Sequence, residues 1–431
     1  MCASHHIEGC TYQQKGASMF TLHKKSITYC IAILSISASL LGMIHKEGSE
    51  ENNPWVYDVP QAFSYIPVRT HTFLGTWTND VIHYPLYTQR MTQRFEGIWG
   101  DLNHFNSIKR MPAYLDMGTI VIAAGTDPHA QEAQLFIAHL PSENNNGAFR
   151  KNMIKNKPPL TDKLIKKIAL SSTYWHAGSI DSCGSYIAIP IYNNKDSRIV
   201  LYKMKYKDSQ HSIENLEINN LNIDINRPEL ESKAVAMTRT AEGNFVIAVW
   251  GYDRTSQKYG FDFYFSKDHD INNGFDEINH IFIPTELCMN YQGKHTFQNI
   301  NFVNDYNGKL YLVGLENTVG TDPLRNNKDS ISLFEVTIRK VTHNMKHDAQ
   351  SYNPDGITAS CPVGSKRPYI RYITEKHMFC KQGMCNFSSG ATLYIPDQQH
   401  LVIYSLPQWL KNNGTHMVFA QFASTEKTYP K

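Results

Sequence analysis

His176 and Asp181 stand five residues apart in His176–Ala177–Gly178–Ser179–Ile180–Asp181. An imidazole beside a carboxylate can act as a general base with its orienting partner. Lys233, His295, Asn299, Asn301 and Asp305 occupy comparable places in later stretches of the chain. His176, Asp181 and His295 are therefore the catalytic candidates, and Asp181 and Asp305 the candidate metal ligands. Gathered together, such groups would suit calcium, zinc or the hydroxyls of a sugar. They would equally suit a structural role, because buried polar groups must be bonded to neighbours or to internal water.

A second oxygen-rich stretch runs Lys267–Asp268–His269–Asp270–Ile271–Asn272–Asn273–Gly274–Phe275–Asp276–Glu277. Asp268 and Asp270 make it a candidate calcium loop. It departs from the helix–loop–helix calcium pattern, which sets glycine at the sixth loop position and glutamate at the twelfth. Counted from Asp268, Gly274 falls at the seventh. The alternative is an exposed polar turn. Calcium is the one cofactor the sequence suggests.

These residues sit in a phrase that returns about every sixty residues, a polar lead-in, a turn and a short apolar strand. Asp181 leads to Gly184–Ser185–Tyr186–Ile187–Ala188–Ile189–Pro190. Ser232–Met237 leads to Phe245–Val249, His295–Ile300 to Leu310–Val313, and Phe387–Gly390 to Ala391–Pro396. A second period-2 run follows each: Ser197–Met204, Phe261–Ser266, Ser330–Val336 and His400–Ser405. The pattern predicts an all-β chain folded as a β-propeller of five to six blades, with a β-sandwich with long loops as the competing fold. The apolar strand of each phrase is read as the one nearest the axis. Residues 70–112 and 367–374 are candidates for further blades.

The phrase also resembles a pattern in a poorly characterised family of bacterial β-propeller proteins. There a His-x-Gly-Gly element precedes Gly-x-Tyr-Leu-x-Val-Pro, and a later strand reads Ser-Arg-Ile-x-Leu-Tyr. The matching residues are His176–Ser179, Gly184–Pro190 and Ser197–Tyr202, with Ser179 in place of the second glycine. The resemblance implies the fold and assigns no catalytic residue.

The 431 residues are 41% apolar and 19% charged, with a formal net charge of +3. No basic run tracks along the chain, so nucleic acid is not an expected partner. His23–Lys24–Lys25 precedes an apolar run over 26–44, which reads as an export signal or, uncleaved, as a membrane anchor. The organisation expected is residues 1–45 as signal or anchor with an upstream extension, 46–70 as a polar arm, and 71–431 as one propeller. The destination is periplasmic or extracellular, with a membrane-anchored form as the alternative. Of eight cysteines, Cys361 is placed to pair with Cys380 or Cys385. Common nucleophile, phosphate-loop and dinucleotide motifs do not occur.

The function expected is an exported propeller that binds a small molecule, glycan or protein on one face. The alternative is a propeller hydrolase, lactonase-like or carbohydrate-acting, with an axial and metal-assisted site. A structural role at the cell surface is third, and whether the chain is an enzyme stays open.

Overall fold

The computed structural model describes residues 54–68, 86–87, 104–111, 119–127, 130–140, 163–206, 213–276, 281–291, 296–317, 329–340, 366–378, 387, 390–405, 416–417 and 420–422. They belong to the second of two units, Met1–Gly48 and Ser49–Lys431. The apolar run 26–44, His295, and Cys2, Cys10, Cys30, Cys361, Cys380 and Cys385 lie outside the described residues. Cys183 and Cys288 are buried.

An arm comes first, strand β1 (Trp55–Val56) and helix α1 (Val59–Tyr65), followed by the short β2 (Leu86–Tyr87). The first blade holds β3 (His104–Arg110), β4 (Thr119–Asp127), β5 (Glu132–Leu140) and β6 (Lys163–Ser171). In the second, β7 (His176–Ala177) and β8 (Asp181–Cys183) form an interrupted first strand beside β9 (Tyr186–Tyr192), β10 (Ser197–Tyr206) and β11 (Leu216–Arg227). The third holds β12 (Leu230–Arg239), β13 (Phe245–Asp253), β14 (Lys258–Phe265) and β15 (Ile281–Pro284). The fourth holds β16 (Phe297–Asp305), β17 (Leu310–Asn317), β18 (Asp329–Lys340) and β19 (Lys366–Met378), with β1 added in parallel to β16. Of the last strands, β20 (Ala391–Asp397), β21 (His400–Ser405) and β23 (Ala420–Phe422) make a three-stranded sheet, while β22 (His416–Met417) pairs with β2.

The chain is thus an all-β propeller, but the expected five to six blades are corrected. Among the described residues four sheets are complete blades, and the remaining strands form only a three-stranded sheet and a two-stranded pair. Residues 367–374 are no blade of their own: they lie inside β19, which pairs along its whole length with β18. Of residues 70–112, the described strands are β2 and β3, and β3 opens the first blade.

The radial order differs from the expectation too. The apolar runs are second strands, not first. In β4, β9, β13 and β17 almost every residue is buried, because neighbouring blades cover both faces, and such strands read as continuous apolar runs. The polar lead-ins are themselves the first strands at the axis.

Four seams between sheets are apolar. The first and second blades share Ile122, Leu135, Ile187 and Ile189, and the second and third share Leu201, Ile225, Val235 and Ile247. Trp250, Phe261, Phe297 and Phe334 fill the third seam with edge-to-face rings 4.8–5.7 Å apart, and Phe261 stacks on Phe297 at 6.0 Å. Helix α1 wedges Val59, Ala62 and Phe63 into the fourth, among residues of the fourth blade and the three-stranded sheet. Asp58 caps that helix through the Gln61 N–H, and Lys376 Nζ reaches the Ile66 carbonyl at 2.7 Å.

The fifth seam, between the three-stranded sheet and the first blade, is polar. Arg110, fully buried, donates to Tyr404 Oη at 2.9 Å and lies 4.4 Å from the Tyr394 ring centre. Gly390 has φ +114°, and a Cβ there would come 2.8 Å from the Ser107 nitrogen. Only glycine lets β20 lie so close to β3.

Asp329 marks the start of β18 and accepts a hydrogen bond from the Phe387 N–H at 3.1 Å, just ahead of β20. Burial pushes its carboxyl up to about 7, partly offset by the bonds from Phe387 and Asn317. A carboxyl raised in the folded state binds a proton the unfolded chain has released. Its stabilisation is therefore full at low pH and is lost as pH rises through about 7. Between about pH 5 and pH 8 this group should cost about 3 kcal/mol. Asp329→Asn should remove that part of the pH dependence, measured as urea midpoints at the two pH values.

Candidate functional site

The first strands carry one local pattern. Asn106–Ser107–Ile108–Lys109 in β3 matches Gly178–Ser179–Ile180–Asp181 before and in β8, Lys233–Ala234–Val235–Ala236 in β12, Gln298–Asn299–Ile300–Asn301 in β16, and Gly390–Ala391–Thr392–Leu393 in β20. The third residue of each pattern is buried, and the polar residues among the second and fourth, Ser107, Lys109, Ser179, Asp181, Asn299 and Asn301, bond to one another across the blades.

At the upper level Ser107 Oγ lies 3.4 Å from Ser179 Oγ and accepts from the Ile180 N–H at 2.9 Å, and Asn299 donates to Ser179. At the lower level Lys109 Nζ pairs with Asp181 Oδ1 at 2.6 Å. Asn301 Nδ2 donates to the same oxygen at 3.1 Å, and the Met237 N–H donates to Asp181 Oδ2 at 2.9 Å. Asn301 Oδ1 accepts from the Leu393 N–H at 2.9 Å, and Lys109 reaches the Leu393 carbonyl at 3.2 Å. The axis is therefore filled by protein groups bonded to one another. Asp181 and Asn301 converge there as the sequence suggests, but both oxygens of Asp181 are engaged.

The other candidates separate. Asp305 accepts from the Asn307 and Lys309 N–H groups at 2.8 Å, in a tight turn at the opposite end of β16. In the acidic loop, Asp268 accepts from the Asp270 N–H and from Asn273 Nδ2, both at 2.7 Å. Asp270 caps a short 3-10 helix through the Asn272 N–H. The loop is a satisfied turn anchored by buried Ile271 and Phe275. Among the described residues no three of His, Cys, Asp and Glu gather closely enough to hold a metal ion.

His176 lies away from the axial pair, at the end of the propeller where first strands begin. Its ring stacks on Tyr192 at 5.1 Å and 18°, with Trp175 on its other neighbour position at 3.5 Å. Across the seam stands β12. Glu231 Oε1 is 3.7 Å from Lys233 Nζ, and its Oε2 is 3.5 Å from Arg254 Nη2. Lys233 donates to Tyr259 Oη at 3.3 Å and lies 5.0 Å from that ring centre; Tyr252 packs on Tyr259 at 4.9 Å. Burial and then the Glu231 carboxylate hold the Tyr192 phenol well above its ordinary range, so it stays a neutral donor. All of these side chains are half-buried.

Two backbone features join the halves. A β-bulge at Lys233 breaks the β12–β13 register between Ser232 and Ala234 and re-aims that side chain. Ser179 N–H donates to the Lys233 carbonyl at 2.8 Å, and the Val235 N–H to the Ser179 carbonyl at 3.1 Å. A Cβ on Gly178 would come 2.4 Å from the Lys233 oxygen, so glycine is required for the two blades to meet. The result is a rim of stackable rings, a carboxylate, an ammonium and a guanidinium. Such a set can hold a hydroxyl-rich ligand, with faces for its apolar side and both donors and acceptors for its edges.

Sequence reasoning reached His176 and Lys233 but missed Glu231, Tyr192, Tyr259 and Lys109. The Ser–Ile step shared by Ser107–Ile108 and Ser179–Ile180 was the available signal for Lys109.

No protein-family model matches the chain, and no curated protein sequence matches it. Among solved structures it is similar to an endo-arabinase from Bacteroides thetaiotaomicron VPI-5482 at 9% identity and a TM-score of 0.39, covering 77% of this chain and 95% of that one. It is similar to an alpha-L-arabinanase from Penicillium chrysogenum at 9% and 0.38, over 80% and 99%. It is also similar to the parainfluenza virus 5 hemagglutinin-neuraminidase ectodomain at 9% and 0.31, over 94% and 86%. At these values the likenesses carry no argument about activity.

Lys109→Met leaves Asp181 buried without its counter-ion and should cost about 3–5 kcal/mol. Adding Asp181→Asn should recover much of that loss, because no charge then remains to be paired. Denaturant titration of both single variants and the double variant measures the coupling.

Proposed function

We propose that the chain is a glycan-binding propeller whose site is the rim between the second and third blades. The observation that carries this reading is the stack of Trp175, His176 and Tyr192 beside Glu231, Lys233 and Arg254. A pyranose or furanose ring offers an apolar face to aromatic rings and hydroxyls to charged groups. Charge-assisted hydrogen bonds to such groups are the stronger kind. Two adjacent blades supply the two halves, so the set of side chains spans a seam, which suits a chain of sugars better than a single small molecule.

We favour binding over hydrolysis because the axial carboxylate is locked by Lys109, Asn301 and Met237, and Glu231 is the one carboxylate among the rim side chains described above. Glycoside hydrolysis ordinarily uses a pair of carboxyl groups flanking the bond that breaks.

Calorimetry against a panel of neutral and acidic oligosaccharides tests the proposal. Trp175→Ala and Glu231→Gln should each weaken binding about tenfold, the loss expected for one stacking or one charge-assisted contact. Binding to none of the panel, or unchanged affinity in both variants, would overturn it. Release of new reducing ends, abolished by Glu231→Gln, would replace binding with hydrolysis.

A further inference from the structure

Beneath the rim, the seam between the second and third blades holds a buried polar network. Arg227, at the end of β11, is 1% exposed, and Asp262 is wholly buried. Arg227 Nη2 meets Asp262 Oδ2 at 3.0 Å, and its Nε donates to Tyr264 Oη at 2.9 Å. Tyr264 Oη donates in turn to the same Asp262 oxygen at 2.5 Å. The remaining arm of the guanidinium, Nη1, donates to Ser232 Oγ, which lies 2.5 Å from Ser197 Oγ. Ser197 stands directly opposite Arg227 in the β10–β11 ladder. Two residues of the second blade therefore hold one hydroxyl of the third.

Stability alone does not call for this network. A buried ion pair is ordinarily no more stabilising than apolar side chains of like size, and Leu201, Ile225, Val235 and Val249 already line the seam. What the network fixes is Ser232, which stands between the rim's carboxylate, Glu231, and its ammonium, Lys233. Side chains of a regular strand alternate between its two faces. In β12, Val235 and Met237 face the second seam, and Ala234 and Ala236 the third. Counted back from Val235, a regular strand would send Lys233 into the second seam, where Arg227 lies. The bulge between Ser232 and Ala234 changes that count. Ser232 takes the place in the seam, and Lys233 turns to Tyr259. Gly251 makes room for the bulge, since a Cβ there would come 1.8 Å from the Glu231 carbonyl oxygen.

We infer that Ser232 is the positioning residue of the rim: clamped by Arg227 and Ser197, it holds the bulge that presents Glu231 and Lys233 to a ligand. The inference rests on the reading of the rim as a glycan site. Ser232 is wholly buried and acts only through its two neighbours in the chain. A hydroxyl suits the task, because it accepts from the guanidinium while sharing a hydrogen bond with Ser197. Without it, the bulge has no polar anchor on its seam side, and the guanidinium loses a buried partner. The ion pair with Asp262 fixes Arg227 in turn, so the clamp itself is rigid. Placement of this kind, by groups that never meet the ligand, is what keeps a binding set in its productive geometry.

Crystal structures and calorimetry of Ser232→Ala and Ser232→Thr test it. In Ser232→Ala, Lys233 Nζ should leave Tyr259 Oη. Affinity for the oligosaccharide that the unaltered chain binds best should fall about tenfold, the loss of one charge-assisted contact. Ser232→Thr keeps the hydroxyl and should keep both the position and the affinity. R227M/D262L removes the two buried charges together and should displace Lys233 in the same way, which covers the case in which alanine prevents folding. Lys233 still on Tyr259 in Ser232→Ala, whatever the thermal stability, would make the network a staple between blades and overturn the inference. An unaltered chain that binds no oligosaccharide overturns the glycan reading alone. Lys233 displaced in Ser232→Ala would then still support Ser232 as the residue that places it, and Lys233 unmoved would overturn both.

Discussion

Asp181 is the group on which the ring turns. Its carboxylate is buried at the axis and bonded to Lys109 of the first blade, to Asn301 of the fourth and to the β12 backbone of the third. Asn301 passes the connection to β20. One carboxylate and one amide therefore tie the four blades and the three-stranded sheet together at the axis. A buried ion pair of this kind contributes little net stability over an apolar plug, since desolvation offsets the attraction. What it supplies is geometry. Apolar strands could slide along their seams, whereas hydrogen bonds fix each first strand to a single height. The rim depends on that height, because Gly178, Ser179 and Lys233 meet only when β8 and β12 are in register.

The seams show how the same constraint is spread outward. Four are hydrophobic and tolerant of small shifts. The fifth uses the directional contacts of Arg110 and the close approach at Gly390. A second buried arginine, Arg227, bridges the second and third blades to Asp262 and Tyr264. Polar groups thus stand where sheets must be aligned, and apolar groups where they need only be held together.

Much of this was legible in the sequence. The repeated phrase predicts a propeller. The radial order was not legible, for a physical reason. Hydropathy is loudest where a strand is covered on both faces, and those are the second strands. First strands look polar because alternate residues turn toward a narrow axis and bond there. The blade count suffered likewise: Arg367–Thr374 alternates like a new blade, yet it is the outer strand of the fourth. The rim was half legible. His176 and Lys233 stand out in local motifs, but Glu231 and Tyr192 acquire meaning only through a seam between blades.

The arm of β1 and α1 imposes an order on the making of the protein. It belongs to the beginning of the chain, but its partners are β16, β21 and Lys376, more than three hundred residues later in the case of the Lys376–Ile66 bond. At a synthesis rate of roughly 5–20 residues per second, the arm waits on the order of 15–60 s for that partner. During this interval the early blades can pair internally, but the ring cannot close. A nascent chain of this design stays open until almost all of it has emerged, which leaves time for transport or chaperone capture before the fold becomes final.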